Sequence, residues 1–161
     1  MWFLINQYSL VFSLFLIGPV SWFVISRTLD WRWATLFLVC ILTGVLLLFY
    51  TQSTKASVID TRSEWDGALS SGAPMLVELY SDYWIGCLSM KPAVDRLEAQ
   101  IKKECRVVRI DIHSDLGIFI KDQFGTNTVP TFLLFNSLGT ESLRKNGVPT
   151  YLQVMESLGI K

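Results

Sequence analysis

Residues 77–92, V-E-L-Y-S-D-Y-W-I-G-C-L-S-M-K-P, constrain this chain more than any other stretch. The apolar run over 75–80 has the length and bounds of a buried strand, and after a few polar and aromatic residues a helical pattern starts near Ile85. The spacing therefore predicts a strand, a short loop and a helix N-terminus, with Cys87 in the helix's first turn. A thiol placed there meets the positive end of the helix dipole and unpaired backbone N–H groups, both of which favour thiolate. Such a site suits sulfur chemistry.

The stretch resembles the active-site segment of thioredoxin-fold proteins, which follow an apolar strand with W-C-x-x-C and a proline five residues beyond the second cysteine. Laid on without gaps, Tyr83 takes the place of the family's Trp, Cys87 that of the second Cys, and Pro92 that of the helix proline. Glu78 falls where thioredoxins keep a buried acid. The decisive departure is Trp84, which stands where the family has its attacking first cysteine. A second register puts Trp84 on the family's Trp, but it misplaces Pro92. Neither register leaves a C-x-x-C.

A second motif, residues 124–135, F-G-T-N-T-V-P-T-F-L-L-F, is similar to the thioredoxin segment in which a cis-proline begins a central strand beside the active cysteine. Proline has no N–H for a sheet ladder, so a strand's first residue is a sound place for it. The resemblance implies a cis Val129-Pro130 bond and a peptide groove formed by Val129, Pro130 and Thr131. It also implies an α/β thioredoxin-like fold, a central mixed sheet flanked by helices.

Ahead of that domain lie two long apolar runs. Residues 2–26 are apolar apart from Asn6, Gln7 and scattered Ser, and residues 33–50 carry no charge. A bilayer core about 30 Å thick needs about 20 apolar residues in a helix, so each run is long enough to span. The expectation is a transmembrane hairpin over 1–50, a polar linker over 51–57 and a thioredoxin-like domain over 58–161. Trp2, Trp22, Trp31, Trp33 and Tyr50 sit towards the ends of the runs, as an interfacial aromatic belt requires. No basic residue precedes the first run and no small-residue cleavage site is obvious, which disfavours a signal peptide. Arg27 and Arg32 lie in the turn, closer to the membrane than Lys55 and Arg62, which favours a cytoplasmic turn and a domain on the periplasmic or lumenal side. Seven linker residues reach no further than roughly 25 Å, so whatever the domain binds is at the membrane or comes to it.

With 14 basic and 14 acidic residues and no block of like charge, nothing points to nucleic acid. The domain pattern predicts a short strand at 58–59, helices over 63–70, 86–103 and from Leu116 to Phe124, strands over 106–113, 131–135 and 140–146, and a closing helix that buries Tyr151, Val154, Met155 and Leu158. Three cysteines, Cys40, Cys87 and Cys105, imply no disulfide framework, and Cys40 reads as a small buried hydrophobe. Most of a helix separates Cys105 from Cys87, roughly 25 Å at about 1.5 Å per residue, whereas a disulfide needs Cα atoms within about 7 Å.

Thiol–disulfide exchange needs one thiolate to attack and a second thiol to resolve. Cys87 is alone, so it is either a small core residue or a single-thiol redox site. Glu78 either moves a proton to and from Cys87, as the resemblance implies, or faces water at a strand edge. His113, the only histidine, has no ligand-type partner at metal spacing, and no metal or other cofactor is expected. Tyr83, Trp84 and Ile85 either form an exposed apolar tip of the kind that marks a contact site, or Trp84 folds back on Pro130 and closes the groove. Two functions follow. The first is a membrane-anchored binding or assembly module that docks on a membrane protein or complex through Tyr83, Trp84, Ile85 and the groove of Val129, Pro130 and Thr131, without dithiol chemistry. The second is a membrane-tethered thiol-disulfide oxidoreductase of the cytochrome-biogenesis or thylakoid-lumen kind, acting through Cys87 with Glu78.

Overall fold

A computed structural model of the protein describes residues 9–28, 30–52 and 59–160. The elements run α1 (Ser9–Thr28), α2 (Trp31–Gln52), α3 (Arg62–Leu69), β1 (Met75–Tyr80), α4 (Ile85–Ile101), β2 (Arg106–Asp111), α5 (Asp115–Phe124), β3 (Thr131–Phe135), β4 (Glu141–Asn146) and α6 (Tyr151–Ser157). The four strands form one mixed sheet in the order β2-β1-β3-β4. β1 pairs parallel with β2 and antiparallel with β3, and all six of its residues are buried. That central place explains why every residue of β1 but Glu78 is apolar or aromatic: both edges are bonded and both faces are covered.

Alternation along the strands sorts the core into two layers. Met75, Val77 and Leu79 of β1 face α3 and α5, where they meet Trp65, Leu116, Ile120 and Phe135. Leu76 faces the other way, with Val94, Leu97 and Ile101 of α4 and Val154 and Met155 of α6. Glu78 is two residues on from Leu76 and shares its face, so the period of the strand carries its carboxylate to the side of the sheet that α4 covers. β4 alternates half-buried and exposed residues, as an edge strand does, and carries Arg144 and Lys145 outward or sideways rather than into the core.

Local chemistry fixes the ends. Thr61 and Glu64 close a reciprocal capping box at the start of α3, and Thr150 and Gln153 do the same for α6. Gly117 has no freedom to carry a side chain, because a Cβ there would meet the Asp111 carbonyl oxygen that ends β2.

Three expectations need correction. Ile59 is buried without being part of a strand, and Val58 lies outside the described residues. Tyr151 is exposed rather than buried, because it opens the first turn of α6 and the packed face begins at Val154. Cys40 is exposed, since it lies on a face of α2 that the packing of the two helices leaves uncovered.

The two apolar runs do form a helical pair, with Ala34 buried. Their outward side chains are large and apolar, with Phe15 76% and Leu46 68% exposed. Among the described residues, however, no helix is long and apolar enough to cross a membrane. The expected transmembrane hairpin is to that extent not met. The sequence runs are not all included: residues 1–8 and 53–58 lie outside the described set, so the start of the first run and most of the linker are not part of that comparison.

Candidate functional site

The loop after β1 and the first turn of α4 bring the site together. Trp84 is the N-cap of α4, with extended backbone and no side-chain capping bond. Its carbonyl accepts from the Cys87 N–H at 3.0 Å, which puts Cys87 one turn along. Cys87, Tyr80, Ile112 and Val129 form a small buried cluster, and half-buried Trp84 packs against it. The Val129-Pro130 peptide bond is cis. Trp84 is thus half-buried rather than fully exposed, and of the groove residues it is Val129 that belongs to the cluster it packs on.

The three side chains of the expected tip therefore part company. Tyr83 remains 41% exposed and sets its ring edge against His113, centroids 5.8 Å apart. Trp84 turns inward. Ile85 is 59% exposed and borders an apolar cleft shared with Ile17, Gly18, Leu42 and Val45 of the helical pair. In the groove, Val129, Pro130 and Thr131 are all buried. The Thr131 hydroxyl donates to the Thr128 carbonyl at 2.6 Å and lies 3.0 Å from Asn146 Oδ1.

Cys87 is only 5% exposed, and burial pushes its thiol up to about 12. The Ser81 N–H donates to Sγ at 3.5 Å and works in the opposite direction, but it loses to desolvation. The thiolate expected from a helix N-terminus is therefore not favoured here: an ion held out of water costs more than a helix dipole returns. The three cysteines are free thiols. Cys105 belongs to the core layer under α4 and α6, apart from the Cys87 cluster.

Glu78 is not at a strand edge. It lies 4% exposed in β1, register partner of Arg109 in β2, and its carboxylate is 3.5 Å from the Arg109 guanidinium. Arg109 makes shorter contacts, 2.7 Å each, to Asp95 and Glu98 on α4. Glu78 is left with the long contact, so burial outweighs the attraction of Arg109 and pushes its carboxyl up to about 7. Arg109 itself stays firmly cationic: burial opposes the charge, but the Asp95 bond and the neighbouring carboxylates overcome it.

Several members of the site escaped sequence reasoning. Arg109 had a usable signal, a cation in the interior of a strand beside β1, whose one charge is Glu78. Ser81 and His113 had none, because their meeting depends on two strand ends coming side by side. Fully buried Ser81 has its Oγ 3.2 Å from His113 Nε2 and accepts from the Tyr83 N–H at 3.3 Å. Asp95 and Glu98 hold α4 to β2 through Arg109, a role set by the packing of that helix on the sheet. Among the described residues there is no cluster of side chains able to hold a metal ion.

The family model described as Thioredoxin matches residues 56–155, the whole of the sheet and its helices. The chain belongs to the thioredoxin family. Its thioredoxin domain is 30% identical over 77 residues to thioredoxin-like protein HCF164, chloroplastic, of Arabidopsis thaliana, a match covering 48% of this chain and 30% of that one. It is 28% identical over 90 residues to thioredoxin-like protein slr0233 of Synechocystis, covering 56% of this chain and 83% of the relative. The match to the HCF164 protein thus spans under a third of that relative's length. Among solved structures, the oxidised thioredoxin of Plasmodium falciparum superposes with a TM-score of 0.51 at 15% identity, covering 63% of this chain and 96% of that one. At that identity the likeness speaks for the fold alone. In this domain the buried strand β1 leads into α4 with Trp84 at the N-cap and Cys87 one turn on, and the Val129-Pro130 bond is cis.

Proposed function

We propose that this chain is a membrane-anchored thioredoxin-like module that binds a membrane protein or multi-subunit membrane complex, as an assembly factor or accessory subunit, without dithiol redox chemistry. The observation that carries this reading is Trp84 at the N-cap of α4, one turn from a Cys87 that is buried and has no second thiol beside it. Exchange would stop at a mixed disulfide with nothing to resolve it. The exposed faces of Tyr83 and Ile85 flank the indole and offer the apolar contact that a docking partner needs. No metal or cofactor enters the proposal.

The anchor in this reading is the helical pair. Its support is the outward display of Phe15, Leu16, Phe23, Leu46 and Leu47, an apolar surface far larger than a water-facing protein usually keeps. The turn arginines support a domain on the periplasmic or lumenal side in this reading. The cleft shared by Ile85 and Leu42 lies near mid-helix, so lipid around that face and contact with Ile85 exclude each other. In a bilayer the domain tip is released from the helices and free for a partner.

A second reading, a membrane-tethered thiol-disulfide oxidoreductase working through Cys87, draws on Glu78, whose carboxyl near 7 is suited to exchange a proton. The two separate cleanly. With the full chain purified in detergent, the binding reading expects no insulin reduction above the blank, and expects Trp84→Ala to lose a co-purifying membrane protein that Cys87→Ser retains. Turnover that disappears in Cys87→Ser would establish the enzyme and remove the binding module.

A further inference from the structure

We infer that Trp84 is a lid over the Cys87 thiol, and that Gly86 is the seat on which the lid rests. The indole performs none of the usual work of an N-cap: it makes no capping bond, where Ser, Thr, Asp or Asn would satisfy a free N–H. Its six-membered ring instead lies across the helix's second residue. A Cβ added at Gly86 would stand 2.4 Å from Cη2, 2.5 Å from Cζ2 and 2.6 Å from Cζ3 of Trp84, closer than any side chain tolerates. Glycine inside a helix costs about 1 kcal/mol relative to alanine. The chain carries it where the indole lies flat, and φ there is not in the left-handed region that would otherwise call for glycine.

From that seat the ring reaches the cluster of Tyr80, Cys87, Ile112 and Val129. Cys87 is thereby enclosed by β1, by Ile112 just past β2, by the cis-proline loop and by the indole, and the indole sits at a loop end where it makes no capping bond. The sheet and the proline loop cannot open without breaking the fold. Rotation of one side chain can open the indole. Access to the thiol is therefore set by the position of Trp84, and a partner that draws the indole onto an aromatic or apolar surface bares Cys87 as it docks.

The test needs no partner, so its outcome is independent of the binding proposal. The full chain in detergent is treated with N-ethylmaleimide under native conditions, and labelling of the Cys87 peptide is followed by mass spectrometry against the urea-unfolded chain. Local opening sets such rates, and removing the lid is expected to raise labelling of Cys87 about tenfold or more in Trp84→Ala. Gly86→Ala is expected to do the same with Trp84 still present, because the new methyl takes the seat. Alanine is the better helix former at that position, so this variant keeps the fold even where Trp84→Ala does not. A Gly86→Ala chain with unchanged circular dichroism and Cys87 labelled as slowly as in the parent overturns the lid, whatever Trp84→Ala does. Faster labelling in Gly86→Ala, with Cys105 unchanged, supports it.

Discussion

A single buried carboxyl makes the residue scale measurable. Glu78 has its carboxyl pushed from an ordinary 4.5 to about 7, chiefly by burial. The folded chain therefore holds that proton more tightly than the unfolded one. This group's contribution is most favourable below about pH 4.5, declines as pH rises because only the unfolded chain ionises, and is fully lost above about pH 7. Glu78→Gln removes the dependence. With each pKa unit worth about 1.4 kcal/mol, and part of the gain offset by the lost contact to Arg109, the variant is expected to be about 1–3 kcal/mol more stable than the parent at pH 8 and nearly equal at pH 4.5. Urea unfolding of both chains across that range is the check, and parallel stability curves would show that Glu78 is not held neutral by burial. Arg109 offsets only part of the effect, because its short contacts go to Asp95 and Glu98 and leave Glu78 the longer one.

At the scale of the element, the β1–loop–α4 unit sets Trp84 at the helix N-cap and Cys87 in the first turn. The hydrogen bond from the Cys87 N–H to the Trp84 carbonyl places the two residues one helical turn apart, within the Cα separation that a disulfide accepts. Trp84→Cys is thus expected to form an intramolecular disulfide with Cys87 on mild oxidation, with loss of one mass unit per thiol in the intact chain. The same variant is expected to reduce insulin well above the blank, and the activity should vanish when Cys87→Ser is added. Failure to form that bond in a folded chain would mean that the ungapped register, with Trp84 on the first thiol position, is wrong. The resemblance that put Trp84 there rested on Pro92, which lies inside α4 as the family's helix proline does.

For the whole molecule the open matter is where the helical pair resides. In the membrane-anchored reading, the full chain stays in the pellet when membranes are washed with alkaline carbonate, whereas residues 59–161 expressed alone come away. A companion measurement follows from the shared cleft of Ile85 and Leu42. In a chain whose native cysteines are replaced by serine, Ile85→Cys and Leu42→Cys should be bridged by a short bismaleimide in detergent-free solution and not in intact membranes. Bridging of equal yield in both settings would place the domain against the helices permanently and remove the released tip from the binding proposal.

Much of this architecture was legible in the residues, for reasons of period and bonding. A short, mostly apolar run bounded by turn residues suits a strand covered on both faces, which is how β1 and β3 stood out. The helical pattern starting near Ile85 announced α4, and cysteine separation along that helix kept Cys105 out of the site. What one dimension could not convey was which side chains meet. Glu78 looked isolated until β2 set Arg109 beside it in register, and Ser81 reached His113 only because two strand ends lie next to each other. The state of Cys87 was also decided in three dimensions: a helix N-terminus argues for thiolate, but the enclosure contributed by Tyr80, Ile112, Val129 and the half-buried indole removes the water that an anion needs. Local order along a chain specifies its elements because backbone periods are short. Contact between elements, and the desolvation that comes with it, belongs to the packed fold alone.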